Sequence, residues 1–211
     1  LGDDFAKDVD ETVRRMMGDL QPDEGRKLLR LRDRLLELHS LNMVKINHSI
    51  MELVCAKYLI QRGFDVEIEH HLNGVSCDVY ATKGYGTHIV EVETGFVPPE
   101  NALDPNLYLR ARIASKITRY SGYSDKFSLG APPYYVMQIP PIFSRPPRMR
   151  GEAEIAEVKR ICDLYYRNPP VTLEDVRNAR IHSLYIIDVD SLSVNERGLE
   201  EYLERTTLWS M

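Results

Sequence analysis

Acidic residues stand in this chain where buried strands should carry apolar side chains. In the stretch from Gly74 to Gly95, GVSCDVYATKGYGTHIVEVETG, Val75, Cys77, Val79 and Ala81 alternate with Ser76, Asp78, Tyr80 and Thr82. After the turn Lys83-Gly84-Tyr85-Gly86, Glu91 and Glu93 fall on one face of a second alternating run, with Val90 and Val92 on the other. Period-two alternation signals half-buried strands. If the two runs pair as a hairpin, Asp78 lies near the glutamates. Carboxylates crowded in this way repel one another unless a cation sits among them, which is the pattern of a divalent-metal site. A further acid, Glu52, interrupts the apolar run of 42–62, with His48, Ser49, Cys55 and Ala56 at three and four residues around it. These small or polar neighbours leave room for a carboxylate aimed at the same cluster; the alternative is a glutamate reaching solvent through a gap.

The rest of the chain sets limits on this chemistry. At 211 residues, 43% hydrophobic and 28% charged, it is expected to be one domain large enough for a sizeable core. No apolar run approaches the length of a membrane span and no signal-peptide pattern opens the chain. Its start at Leu1 implies an initiator methionine removed or outside the sequence. Cys55, Cys77 and Cys162 lack metal-site spacing and read as buried thiols of a reducing compartment. A cytoplasmic protein, without membrane partners, is the expectation. Net charge is −5, yet Arg110, Arg112, Lys116, Arg119, Lys126, Arg145, Arg148 and Arg150 face only Asp125 between residues 110 and 150. That basic middle is a candidate surface for a polyanion.

The elements that would position the acids follow from pattern and punctuation. Helices are expected over 3–19 and 22–39, the second with Leu28, Leu31, Leu35 and Leu38 at a/d spacing, suited to packing on its own domain or to a homodimer contact. A nearly all-apolar helix spans 42–62 and stops at Gly63. Strands follow at 64–72, 75–82 and 88–94, the first two joined by Asn73-Gly74. A proline-rich loop leads to a helix over 106–120 whose Arg112, Lys116 and Arg119 share the side away from its core stripe. Residues 122–133 read as loop and 134–139 (YYVMQI) as the fourth strand. The basic, proline-stiffened segment 144–149 follows, then a helix over 151–168, a short helix capped by Thr172, a strand at 182–189 and a last helix over 195–208. The 1–41 segment reads as a helical extension ahead of a main unit at 42–211.

Helix with Glu52, strand, strand with Asp78 in CDVYA, strand with Glu91 and Glu93 in IVEVE, helix, strand: this order resembles the PD-(D/E)XK nuclease superfamily over 42–140. Within it the chain is similar to small archaeal nucleases, including Holliday-junction-cleaving enzymes and proteins of archaeal viruses. The resemblance implies an α/β, restriction-endonuclease-like αβββαβ core with a mixed sheet flanked by helices. It implies Mg²⁺ (Mn²⁺ as substitute) as cofactor and DNA, including branched DNA, as substrate. Two positions depart from the pattern. Cys77 stands for the motif proline, and Glu93 stands for the motif lysine.

On this reading Asp78 and Glu91 ligate the metal, with the main-chain carbonyl of Val92 as the family implies. Glu93 positions or deprotonates the attacking water, and Glu52 supports a second ion or a water. Lys116 supplies the missing cation if it points at the cleft, and Lys116 or Arg112 neutralises the phosphate. Arg112, Lys116, Arg119, Arg145 and Arg148 form the expected DNA surface. His48, His70 and His71 are ligands by type, but histidine in such positions is more often an edge or core residue and none is assigned. Tyr120, Tyr123, Tyr134 and Tyr135 are candidates for base stacking against a bland reading as buried tyrosines. The competing function is a non-catalytic nucleic-acid-binding or assembly module that keeps the nuclease fold. A small-phosphate-ester enzyme is disfavoured by the lack of a glycine-rich phosphate loop.

Overall fold

The chain builds seven α-helices and six strands in a computed structural model that describes residues 2–44, 46–72 and 74–207. In order they are α1 (Gly2–Met17), α2 (Pro22–Ser40), α3 (Ile46–Ile60), β1 (Asp65–Leu72), β2 (Val75–Lys83), β3 (Gly86–Val92), α4 (Pro105–Tyr120), β4 (Lys126–Ala131), α5 (Glu152–Tyr165), α6 (Leu173–Asn178), β5 (Ser183–Asp188), β6 (Ser193–Arg197) and α7 (Leu199–Thr207). Local chemistry marks the helix starts. Pro22 occupies the first turn of α2 while Glu24 accepts from the Gln21 amide at 2.8 Å; Asp104 accepts from Leu107 N at 3.1 Å ahead of Pro105 in α4; Thr172 and Asp175 make a reciprocal capping box on α6. The Asn73 half of the expected β1–β2 turn, Lys45 in the helix over 42–62 and Leu208 at the end of the chain lie outside the described residues.

The fold is α/β: one mixed six-stranded sheet, in the order β1-β2-β3-β4-β5-β6, with helices on both faces. β1, β2 and β3 run antiparallel, β3, β4 and β5 parallel, and β6 antiparallel to β5. On one face α3 packs its Leu53, Val54 and Leu59 with Val79, Ala81, Val90 and Val92 of the sheet. Behind α3 come Phe5, Val9, Val13 and Met16 of α1 and Leu28, Leu31 and Leu35 of α2, in the same apolar cluster. On the other face Ala111, Ile113, Ala114 and Ile117 of α4 join α5, α6 and α7 over Ile89, Phe127, Leu129 and Leu184. Removing this apolar surface from water is the main force holding the layers together.

Several expectations need correction. Leu28, Leu31, Leu35 and Leu38 are buried within their own chain, so the a/d stripe packs the first two helices onto α3 and the sheet and is no free dimer face. The fourth strand is 126–131, inside the segment read as loop. Flanked on both sides by parallel neighbours, it is buried from Phe127 to Ala131 and shows no alternation. Residues 134–139 do alternate, with Tyr134, Val136 and Gln138 exposed and Met137 and Ile139 buried, yet they pair with no strand. Met137 N instead donates to the Tyr202 hydroxyl at 2.9 Å. Alternation reports a half-buried extended chain, and the ladder is a separate condition. At the C-terminal end, 193–197 is an edge strand and the last helix begins only after Gly198.

One buried polar row crosses the sheet. His88 Nε2 lies 2.9 Å from Ser128 Oγ, which lies 2.8 Å from Ser183 Oγ. The Ser183 side chain bonds in turn to Glu196, which also pairs with Lys126 at 2.7 Å. Thus β3, β4, β5 and β6 are tied side chain to side chain, level between Ser128 and Ser183 and diagonally at His88 and Glu196.

Candidate active site

The β2–β3 ladder runs from Lys83–Gly86 to Val79–Val90 and stops there. One step further the same register sets Asp78 opposite Glu91, and the contact changes character. The Asp78 amide donates to Glu91 Oε1 at 3.1 Å, and the Val92 amide donates to Asp78 Oδ2 at 2.6 Å. Main-chain donors that would have served the ladder hold the carboxylates instead. β3 carries Glu93 one alternation further on the same face as Glu91, its amide bonded to Gly130 O at 2.7 Å. Glu91 and Glu93 are each 1% exposed.

Lys116 reaches this corner from α4. Its Nζ is 3.0 Å from Asp78 Oδ2, 3.0 Å from Glu91 Oε2, 3.0 Å from Glu93 Oε1 and 2.8 Å from the Val92 carbonyl. The Glu93 contact is an ion pair without hydrogen-bond geometry, since Oε1 has no hydrogen-bond partner among the described residues. One turn earlier Arg112 Nε donates to Glu93 Oε2 at 2.6 Å, and the Tyr108 hydroxyl steadies the guanidinium at 3.3 Å. So the basic face of α4 turns inward at Arg112 and Lys116: Lys116 points at the acids, the condition set for it as the missing cation, and the two residues engage the cluster where an open DNA surface is the other expectation. Lys116 itself lies among the acids and the carbonyl proposed from sequence as metal ligands.

Glu52 enters from α3, on the opposite face of the sheet from α4. It is fully buried, and neither carboxylate oxygen has a hydrogen-bond partner among the described residues. It does not reach solvent. His48, one helical turn before it, and Asp78 each offer a ligand atom, and with one from Glu52 these lie within 4.8 Å of one another. Glu69 of β1 stands opposite Asp78 in the register that pairs Ile68 with Val79 and His70 with Cys77, but is itself unpaired. Its φ of +47° is in the left-handed region, a conformation that costs a non-glycine residue about 1–3 kcal/mol and collects at functional sites. Ser76 Oγ donates to Glu69 at 3.3 Å.

The electrostatics follow from burial and neighbours. Burial pushes Glu52 well above the usual carboxyl range, helped by the charges of Asp78 and Glu69. Glu91 is raised to about 8 by burial and then by Asp78, against the pull of Lys116. Burial and Asp78 also raise Glu69. Asp78 is lowered: burial works against its charge, but Lys116, His48 and the Val92 amide outweigh it. His48 is depressed, chiefly by burial, and so is a neutral imidazole near pH 7. Lys116 is held charged, as Asp78, Glu91 and Glu93 overcome its burial. Of this cluster His48 was set aside in the sequence and Glu69 was missed. The spacing of His48 and Glu52, four residues apart on one helix face, was the available signal for the first. Glu69 gave none, because its direction depends on a kink.

The remaining expected residues lie elsewhere. Arg119 donates to Pro169 O at 2.7 Å, and Arg145 is ion-paired with Glu154. Arg150 is buried against the carbonyls of Val176 and Arg177 at 2.9 and 2.8 Å. Arg148 is exposed. Past Glu93 a cavity of about 390 Å³ is lined by Ile50, Met51, Thr94, Phe96, Pro132 and Tyr134. No helix among the described residues is long and apolar enough to cross a membrane. No family model, curated protein or solved structure matches the chain.

Proposed function

We propose that the protein is a divalent-metal-dependent nuclease that hydrolyses phosphodiester bonds in DNA, including branched DNA, on a restriction-endonuclease-like core. The observation that carries this reading is the acid cluster, in which Asp78, Glu91 and Glu93 converge on Lys116 while Glu52 stays fully buried with neither oxygen hydrogen-bonded among the described residues. A buried carboxylate without a donor costs several kcal/mol if charged; burial therefore favours a proton on Glu52, and a cation beyond Lys116 can take that proton's place. The order α3-β1-β2-β3-α4-β4 around these acids supports the same reading.

Hard oxygen donors from Asp78, Glu91, Glu52 and the Val92 carbonyl fit Mg²⁺ or Mn²⁺. Such an ion supplies Lewis acidity that activates water and stabilises charge on the scissile phosphate. Glu93 accepts the proton of the attacking water, held in orientation by Arg112 on its far oxygen. The Lys116 ammonium neutralises a non-bridging oxygen as charge builds on the phosphate, and to do so it gives up its bond to the Val92 carbonyl. The cavity past Glu93, with Phe96 and Tyr134 on its rim, receives a nucleotide next to the cleaved bond.

Nicking of a panel of linear, single-stranded and branched DNAs in Mg²⁺ or Mn²⁺, with Asp78→Ala run alongside, is the test. Cleavage by the wild-type chain that the variant lacks supports the reading; no cleavage of any substrate ends it. A second reading, a non-catalytic DNA-binding or assembly module, draws on Lys116, which already neutralises the Asp78–Glu91 corner. DNA binding without metal-dependent cleavage is its signature.

A further inference from the structure

The cluster has two sides, and they offer different ligands. On the α4 side the oxygens of Asp78, Glu91 and Glu93 and the Val92 carbonyl already share the ammonium of Lys116. On the α3 side a nitrogen ligand, His48, faces Glu52 and Asp78, and neither Glu52 oxygen has a hydrogen-bond partner among the described residues. We infer that the α3 side is a separate cation site in which His48, Glu52 and Asp78 bind a first-row transition-metal dication in preference to Mg²⁺.

Several observations carry this. Glu52 is completely buried, and neither of its oxygens has a hydrogen-bond partner among the described residues, though it sits within reach of two other ligand side chains. The three ligand atoms all lie within 4.8 Å of one another, and ligands of one ion are at most about twice a bond of roughly 2.0–2.3 Å apart, so small side-chain adjustments close the site. The donor set mixes imidazole with carboxylate. Mg²⁺ prefers oxygen throughout and gives up water reluctantly, whereas the first-row dications accept a nitrogen ligand readily. His48 and Glu52 are four residues apart on α3, so the helix presents both to one ion without rearrangement. Glu69, held in its left-handed kink opposite Asp78, adds negative charge from the third wall.

The link to catalysis rests on the nuclease reading, but cation binding does not, and the two are tested apart. Mn²⁺ is the probe, added to the DNA-free, EDTA-stripped full chain. We expect one Mn²⁺ bound about tenfold or more tighter than Mg²⁺, with nitrogen modulation in its electron spin-echo spectrum. His48→Ala should abolish the nitrogen modulation and bring Mn²⁺ affinity down to that of Mg²⁺. Glu52→Gln should weaken Mn²⁺ binding strongly, and Glu91→Gln should leave the nitrogen modulation intact. Circular dichroism and melting of each variant confirm folding. A wild-type spectrum without nitrogen modulation overturns the inference, as does a folded His48→Ala chain that keeps the wild-type Mn²⁺ preference. If Mn²⁺ binds as expected but no DNA is cut, the nuclease reading fails and this site stands.

Discussion

Asp78 and Lys116 meet at 3.0 Å through the sheet's parted strands, the acid on β2 and the ammonium on the helix packed over one face. From the other face Glu52 approaches the same carboxylate with neither of its oxygens hydrogen-bonded among the described residues. Lys116 is therefore shared by three acids, buried Glu91 and Glu93 and half-buried Asp78, and losing it exposes them to one another. In EDTA, Lys116→Met should lower stability by about 3–5 kcal/mol, the usual result of breaking a buried ion pair from one side. Divalent cation should recover much of that loss, since the vacated corner then suits a metal better. Urea unfolding with and without Mn²⁺ measures both effects. A variant as stable as wild type in EDTA would mean the acids are neutralised in some other way.

Asp78→Ala and Glu91→Gln are expected to abolish cleavage and leave the fold intact. Asp78→Ala removes a charge from a crowded pocket, so its structural penalty is partly offset by relief of repulsion, and Glu91→Gln replaces a carboxyl that holds its proton up to about pH 8 with a neutral group of the same shape. Activity should persist in Mg²⁺ and Mn²⁺ and fall in Ca²⁺, which takes more ligands and activates water poorly. Full activity of both variants would assign the cleavage to a contaminant.

Glu91 makes stability depend on pH. Folded, its carboxyl keeps the proton up to about 8, because burial and Asp78 oppose ionisation; unfolded, it ionises near its ordinary value of 4.5. Between these values the unfolded chain binds fewer protons, so stability is present at the acid end and lost as pH rises. His48 and His88, both depressed mainly by burial, act in the opposite sense only below about 6.5. In EDTA, raising pH from 6.5 to 8 should therefore cost on the order of 1–2 kcal/mol through Glu91. Glu91→Gln should flatten that slope, and Mn²⁺ should raise the melting temperature more at pH 8 than at 6.5. Thermal melts across this range check it; a flat wild-type profile contradicts the raised Glu91.

Phe96 and Tyr134 are 63% and 83% exposed on the rim of the cavity past Glu93. Stacking on an aromatic ring is worth about 1–3 kcal/mol per base. In the Asp78→Ala background, replacing both rings by alanine should weaken binding to DNA with unpaired nucleotides by roughly 5- to 100-fold and spare uninterrupted duplex. Equal losses on both substrates would remove the cavity from the nucleotide path.

Arg145 and Arg148, adjacent in the basic loop, should behave differently. Arg145 is paired with Glu154, whereas Arg148 is exposed. Arg148→Ala should flatten the salt dependence of DNA binding by about one unit and Arg145→Ala by much less. Arg150→Ala should instead destabilise the fold, since its guanidinium serves carbonyls at the end of α6. Unchanged slopes for Arg148→Ala would move the DNA path off this loop.

The acids of the site were legible because strands force alternation, and Asp78, Glu91 and Glu93 break an apolar face at the right steps. Glu52 stood out as an acid within a nearly all-apolar helix. What the sequence could not carry was rotation and pairing. The inward turn of Lys116 and Arg112 is set by how Ala111, Ala114 and Ile117 seat α4 on the sheet. The strand at 126–131 was hidden because burial on both faces erases alternation, and Gly130 belongs there for its closeness to Ile187. There a Cβ would meet the Ile187 side chain at 2.6 Å. Glu69 needed a backbone kink that no residue type announces.

The polar row from His88 through Ser128 and Ser183 to Glu196 works as an alignment key for the sheet. Hydrophobic faces tolerate a two-residue slip between parallel strands, because every side chain keeps its face. This row does not, since a slip would strand buried hydroxyls and an imidazole without partners. Because β3 is keyed to β4 at its beginning, the heights of Glu91 and Glu93 at its far end are decided there too. A change at Ser128, outside the acid cluster, can thus detune that cluster while leaving every one of its residues in place.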